Sequence, residues 1–160
     1  MDFDKYSERS KGFIQSAQTM ALSRNHQQFL PEHVLKVLVD DEEGLAANLI
    51  ERAGGDHKKA LAAVEAEIAK MPKVEGPGAG GLHLTGELAR VFQLAEEAAT
   101  TAGDEYVTAE RLLLALTMGA GSAAARILSE AGVNPQALNR AIEDMRKGRK
   151  ANSASAEDGY

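Results

Sequence analysis

The feature of this sequence that most constrains its fold is an internal repeat: residues of the first half recur 78 positions later with similar chemistry. The match includes turn residues, as in Gly54 and Gly132, as well as core residues. Agreement of cap, core and turn positions favours duplication over a chance likeness of alanine-rich helices. The other pairs are Phe13/Val91, Ile14/Phe92, Gln15/Gln93, Ala17/Ala95, Ala21/Ala99, Ala53/Ala131 and Val64/Ile142, whereas Phe29/Tyr106, Leu30/Val107 and Leu35/Leu112 indicate an offset of 77 and a one-residue change in the connection.

Within each half, apolar residues recur at helical spacing, and cap signals separate four segments. Pro31 suits a first helical position, Asp56 suits an N-cap, and Gly54 suits a left-handed C-cap. An aromatic content of 4% also favours closely packed helices over a β-sandwich. We therefore predict an all-α fold of eight helices in two pseudo-symmetric four-helix repeats. The segments are 4–24, 31–39, 44–53, 57–71, 85–101, 109–118, 123–131 and 135–147.

The second helix of each half is apolar nearly all round, which predicts a central position with neighbours on several sides. Leu94, in contrast, lies roughly 80° from the centre of its apolar face, so it is expected at the rim and half exposed. Together with Tyr106 and Val107 it would form an apolar strip rimmed by charge, between the two halves, as in a peptide-binding groove. That these are ordinary residues at the edge of the core is an equally open alternative.

Several chemistries find little support. Without cysteine, there is no disulfide, thiolate metal site or cysteine nucleophile. The glycine-rich stretch 75–81 lacks the Gly-Lys-Ser/Thr ending of a phosphate loop, so it is interpreted as a flexible linker. No Gly-x-Ser-x-Gly motif of a serine hydrolase is present. No two histidines share a helix at metal-binding spacing, so we expect them at the surface or in helix caps. They are His26, His33, His57 and His83.

Carboxylates cluster at 96–97, at 104–105 and at Glu110. A buried pair among them could serve as a general acid and base, but such runs are more typical of solvated helix faces and first turns. An enzymatic function would rest on this cluster alone and is the least favoured reading.

Charge and hydropathy limit the partners. A net charge of -6 disfavours nucleic acid, whose binding depends on cationic surfaces. No apolar run approaches the roughly 18 residues needed to span a membrane, and the charged start Met1-Asp2-Phe3-Asp4-Lys5 does not resemble a signal peptide. We expect a soluble, cytoplasmic protein that begins at its natural N-terminus and binds neither nucleic acid nor membrane.

Three stretches carry a family resemblance: NHQQFLPEH at 25–33, MPKVEG at 71–76 and GDEYVTAE at 103–110. Together they resemble the double Clp N-motif of ClpB-type protein disaggregases, over about residues 1–148. The Pro-Lys-Val-Glu-Gly spacer favours this group over the protease-associated Clp ATPases. The resemblance implies a Clp N-terminal domain over 1–148, with repeats at 4–71 and 84–148 joined by a linker at 72–83. Residues 149–160 would then begin a linker to an absent AAA+ region.

The resemblance also implies a function. Such a domain sits, mobile, on a hexameric AAA+ ring of a heat-shock chaperone, captures exposed segments of unfolded or aggregated polypeptide and passes them to the ring. The domain itself would be monomeric and non-catalytic, with no cofactor. ATP and magnesium, and cooperation with other chaperones, would belong to absent regions, since no Walker A sequence is present. The alternative is an adaptor-docking module, as in the protease-associated Clp ATPases.

Site residues follow from the same resemblance. The polar positions linked to substrate handling match Ser7, Asp104 and Glu110, with serine where threonine is usual. Asp104 and Glu110 are expected to shape the groove rim and favour basic or amide-rich flanks.

The apolar groove positions of the family match Leu94, Ala98 and Arg111, although leucine is usual at the last two. That difference predicts a groove that is weaker, shifted, or more dependent on Val91, Tyr106 and Val107. We expect Leu94, Val91 and Tyr106 to contact exposed apolar segments of clients.

Overall fold

The computed structural model describes residues 3–74 and 81–159, and over these residues it confirms the predicted all-α fold. Residues 75–80, most of the predicted glycine-rich linker, lie outside the described residues. Two strands of two residues each and one short 3₁₀ helix accompany the eight helices. They are α1 (Glu8–Ser23), β1 (Gln28–Phe29), α2 (Pro31–Val39), α3 (Leu45–Arg52), α4 (His57–Ala69), β2 (His83–Leu84), α5 (Gly86–Ala102), α6 (Ala109–Met118), α7 (Ala123–Glu130), α8 (Pro135–Arg146) and the 3₁₀ helix Ala156–Gly159.

Local sequence sets most helix starts. At five of them, a short polar side chain accepts a hydrogen bond from a backbone N–H of the first turn, which satisfies a donor that the helix leaves unpaired. The predicted starts after 56, 108, 122 and 134 are confirmed. The five capping residues are Ser7, Asp56, Thr85, Ser122 and Asn134.

The second helix of each repeat lies at its centre, as predicted. All residues of α6 from Ala109 to Leu116 are buried, and Val37 is the single residue of α2 that is not. Leu113 is 1% exposed. Around these centres, α2 packs against α1, α3 and α4, and α6 packs against α5, α7 and α8. Among the described residues no single helix is long and apolar enough to cross a membrane, and α6 with α7 reaches that length only as a pair bent by 94°.

The two repeats exchange their leading segments. β1 of the first repeat pairs in parallel with β2 of the second, with Phe29 opposite Leu84. In the reciprocal contact, Tyr6 of the first repeat forms a β-bridge with Val107 of the second. This long-range pairing explains why α1 begins at Glu8 rather than near residue 4: residues 4–5 form a turn, and residues 6–7 lie against the other repeat.

The exchange also corrects the repeat offset. The Ser7 N–H donates to the Val107 carbonyl at 2.9 Å, and the Thr85 N–H donates to the Phe29 carbonyl at 3.2 Å. Ser7 therefore corresponds to Thr85 and Phe29 to Val107, and each pair is 78 positions apart. The predicted offset of 77 across the second segment, which matched Phe29 with Tyr106, is wrong. It followed side-chain similarity, whereas the backbone pairing keeps one offset.

Helix packing completes the interface between the repeats. Across it, α3 contacts α8 and α4 contacts α7. The turns after α3 and α7 approach so closely that a Cβ on Gly55 would lie 2.5 Å from the Val133 side chain. The Asp56 N–H also donates to the Ala131 carbonyl at 2.8 Å. The interface between the halves is thus filled by the chain itself.

Candidate functional site

A groove of about 460 Å³ opens within the second repeat, between α5, α6 and α8. Its apolar surface includes Leu94 and Ala98 of α5 and Leu114 and Met118 of α6. Met118 is 41% exposed, one of three large apolar side chains that stand out from the described surface. An apolar floor with a polar rim is the form of a peptide-binding groove. The remaining lining residues are Glu97, Thr101, Ala102, Arg111, Pro135, Gln136, Asn139 and Glu143.

Leu94 is less exposed than predicted, and the groove lies in a different part of the domain. Leu94 is 7% exposed rather than half exposed, because α6 packs along this side of α5 and α8 forms the opposite wall. The groove belongs to the second repeat alone rather than to the seam between the halves, which is closed. A helical wheel describes one helix and cannot show that a segment more than 40 positions away covers its flank.

Arg111 forms part of the groove lining with its charge fully engaged. Its guanidinium donates to Asn139 Oδ1 at 2.8 Å, and it pairs with Asp104 Oδ2 and Glu143 Oε1, each at 3.4 Å. The residue is 2% exposed. Because these partners hold the guanidinium in place, the Arg111 side chain forms part of the groove wall and links α6 to α8. Its charge is not available to a ligand.

Asp104 and Glu110 are buried around Arg146, so their predicted place at the groove rim is wrong. They are 8% and 1% exposed. Arg146 Nη1 donates to both oxygens of Asp104 at 2.6 Å, and its Nε donates to Glu110 Oε1 at 2.8 Å. Burial alone would raise the pKa of Asp104, but the Ala151 N–H and the Arg146 guanidinium hold it below its usual value. The two carboxylates therefore fasten the end of α8, and with it one groove wall.

The other predicted site residues lie outside the groove. Val91 and Val107 are core residues, 0% and 2% exposed, and Tyr106 is half buried beside the C-terminal segment. Ser7 is the buried N-cap of α1. Of the nine predicted residues, the structure brings together at the groove the three that the resemblance assigned to it: Leu94, Ala98 and Arg111.

His26 and His33 form a buried pair. The expectation of surface or cap histidines holds for His33, which caps the N-terminus of α2, and is wrong for His26. The Leu30 N–H donates to His33 Nδ1 at 3.1 Å, so His33 Nε2 carries the hydrogen that bonds His26 Nδ1 at 2.8 Å. Burial first, and then the neighbouring His26, lower the pKa of His33 to about 4. The two rings are therefore neutral at pH 7. In the described ranges, no three histidine, aspartate or glutamate side chains are grouped to hold a metal ion.

Sequence reasoning missed three important residues of this region. Met118 and Leu114 look like ordinary core positions of an apolar helix. Arg146 lies in the last turn of α8, where a cation is common in any helix because of the helix dipole, so no sequence signal distinguishes it.

Sequence comparisons with known proteins show the family of this chain, and structural comparisons show its fold. The pattern of the Clp repeat (R) N-terminal domain family matches residues 5–124. The chaperone protein ClpB of Mesorhizobium japonicum is 64% identical over all 160 residues, which span 18% of that protein's length. The N-terminal domain of Hsp104 from Candida albicans has a TM-score of 0.82 at 20% identity, covering 96% of this chain and 99% of its own. A ClpV N-domain in complex with a VipB peptide has a TM-score of 0.68 at 21% identity, covering 94% and 92%.

Proposed function

Because this chain belongs to the Clp repeat N-terminal domain family, we propose that it recognises substrates for a ClpB-type disaggregase. In this proposal, exposed apolar segments of unfolded polypeptides bind in the groove between α5, α6 and α8. The observation that carries the proposal is the exposed apolar side chain of Met118, which lines the groove together with Ala98 and Leu94. The complex of a ClpV N-domain with a VipB peptide supports peptide binding by a domain of this fold.

The groove composition sets its preferences. Glu97 and Glu143 are exposed at the rim, whereas the cation Arg111 is neutralised within the wall. Apolar segments with basic flanks are therefore favoured over segments with acidic flanks. Ala98 leaves open a part of the groove that leucine would fill in the family pattern, so specificity for side-chain shape is loose.

Binding by a single domain is weak. A groove of this size buries well under about 1,200 Å², which is the range of transient complexes, so a micromolar or weaker dissociation constant is expected. The chain spans 18% of the length of its ClpB relatives. We propose that the remainder supplies a hexameric, ATP-hydrolysing ring in the cytoplasm, so that six tethered domains gain affinity through effective concentration. In this proposal the domain catalyses nothing and needs no cofactor.

The test is an NMR titration of the ¹⁵N-labelled domain with a permanently unfolded protein such as casein. Met118→Glu places a carboxylate in the groove at an exposed position, so the fold is retained. Leu22→Glu is the matched control, because Leu22 is 49% exposed and lies outside the groove. Leu94→Glu is a poor probe, since Leu94 is buried and a charge there would destabilise the domain.

We expect amide shifts in α5, α6 and α8 for the wild type and for Leu22→Glu, and their loss in Met118→Glu. Equal shifts in all three proteins would remove the groove from the account. Shifts confined to α1–α4 would do the same.

A further inference from the structure

Residues 149–157, here called the C-terminal strap, pack onto the domain rather than leaving it as the linker that their composition predicted. Ala151 is fully buried. Its N–H donates to Asp104 Oδ1 at 3.0 Å, and its carbonyl accepts from the N–H groups of Glu105 and Tyr106 at 2.9 and 3.1 Å. The strap therefore uses its backbone to join the turn between α5 and α6.

Six residues later, the strap places a carboxyl group between two helix starts. Glu157 is 3% exposed. One of its oxygens accepts from the Ser7 hydroxyl at the N-terminus of α1, and the other accepts from the Ala109 N–H at the N-terminus of α6, at 3.1 Å. Between the two anchor points, the Ala154 carbonyl accepts from the Glu8 N–H at 2.8 Å.

The surface beneath the strap has the properties of a peptide-binding site. It offers backbone donors at three points along a segment that turns into the 3₁₀ helix Ala156–Gly159, a closed pocket for a methyl side chain and a polar pocket for a carboxyl group. When a protein binds a peptide in this way, main-chain hydrogen bonds supply affinity and side-chain pockets supply specificity.

The middle of the strap is open to solvent. Asn152, Ser153 and Ser155 are exposed. Glu157 also lies near the negative charge of Glu110 in α6, which is ion-paired with Arg146. The positive charge of Arg9 in α1 offsets this repulsion only in part. Burial first, and then Glu110, raise the pKa of Glu157 to about 7. An ionised carboxylate is therefore poorly accommodated, and docking weakens as the pH rises through that value.

We propose that the C-terminal strap is a releasable occupant of a second peptide-binding surface. The released surface binds a polypeptide segment that follows the same path, with a small residue followed six residues later by a glutamate in a 3₁₀ turn. This inference rests on the proposed function only where it takes the bound segment to be part of a client protein. The surface is separate from the groove, so the two proposals fail separately.

The experiment releases the strap and adds it back in trans. Two variants, Ala151→Glu and Glu157→Lys, each break one anchor while changing no residue of the eight helices. Ser155→Lys, at an exposed strap position, is the matched control. The probe is a fluorescent peptide with the sequence of residues 149–159, RKANSASAEDG, together with versions that carry lysine or glutamine at the glutamate position.

Both release variants should show faster hydrogen exchange at the amides of Glu105, Tyr106 and Ala109, with protection restored by the peptide. The peptide should bind the wild type and Ser155→Lys at least about tenfold more weakly than the release variants, because a tethered strap competes at an effective concentration on the order of millimolar. The lysine peptide should not bind. Unchanged exchange in both release variants, or equal affinity of the peptide for wild type and variants, would overturn the proposal.

A pH series gives a readout that a merely packed tail would not move. Between pH 5.5 and 8, the affinity of the glutamate peptide for the Ala151→Glu variant should fall by about tenfold or more, since the bound carboxyl group holds its proton. Glutamine can accept from the Ala109 N–H through its oxygen and donate to the Ser7 hydroxyl oxygen through its NH2 group, and it does not titrate, so the glutamine peptide should bind without that decline. A Met118→Glu background should leave both results unchanged. Parallel pH profiles for the two peptides would contradict the assigned pocket.

Discussion

The buried histidine pair predicts that the domain loses stability in mild acid. In the folded domain His33 stays neutral down to a pKa of about 4, whereas in the unfolded chain it takes up a proton near its ordinary value of 6.5. Below pH 6.5 the unfolded state therefore binds more protons, and folding stability declines until the pH reaches about 4. The difference between the two values corresponds to a loss of roughly 2 to 3 kcal/mol at pH 4.5.

The measurement compares urea unfolding of the wild type with that of His33→Gln at pH 7.5 and at pH 4.5. Glutamine can still accept from the Leu30 N–H and donate to His26, but it does not titrate. The wild type should be the more stable protein at pH 7.5, and this advantage should shrink by roughly 2 to 3 kcal/mol at pH 4.5. His83→Gln, at an exposed position, controls for loss of a histidine. An advantage equal at both pH values would refute the reasoning, because other titrating groups are common to both proteins.

Three further predictions concern the core, the ion-pair network and the groove. Leu113→Ala should cost about 2 to 5 kcal/mol of unfolding free energy by chemical denaturation, and an unchanged midpoint would contradict the central position of α6. Arg146→Met should cost about 3 to 5 kcal/mol because it removes the cation paired with buried Glu110 and leaves Asp104 with Arg111, at 3.4 Å, as its remaining cation. Arg126→Met, which breaks half-exposed pairs, should cost less than about 1 kcal/mol in the same assay. Ala98→Leu should tighten the binding of an apolar peptide, measured by isothermal titration calorimetry, by up to about 0.8 kcal/mol for each added carbon that the peptide covers. Weaker binding would mean that Ala98 is not in the contact.

Local signals were sufficient for the helices and most of their ends. Asp56, Ser122 and Asn134 cap the helices that they were predicted to cap, because a cap depends on residues within one turn. The start of α1 was misplaced because it depends on Val107, about 100 positions away. The same limit produced the false offset of 77, since similar side chains do not reveal which backbone groups pair.

The groove could be predicted in part. Leu94, Ala98 and Arg111 were assigned to it through family resemblance, and the structure brings them together. The wall from α8 could not be predicted, because the pairing of Arg111 with Asn139 and Glu143 joins two helices through side chains that look like ordinary surface residues in the sequence.

Burial of polar residues was the least predictable feature. Glu157 lies in a run of small and polar residues that is typical of linkers, yet it is 3% exposed. His26 and His33 showed no metal-binding spacing. They come into contact because the segment before α2 brings His26 back against His33 on the buried face of that helix. The partners of Glu157 are 150 and 48 positions away, so no short window of the sequence contains both halves of its interactions. The two histidines are 7 positions apart, but their spacing does not show that both rings are buried.

The exchange of leading segments between the repeats has a consequence for the origin of the domain. A single repeat cut from this chain would carry two unpaired backbone edges, one before its first helix and one before its second. Two identical copies could satisfy each other by the same contacts that Tyr6 makes with Val107 and Phe29 makes with Leu84. A symmetric homodimer of a half-sized protein could therefore form these contacts, and a covalent tether between its two copies would give the arrangement seen here.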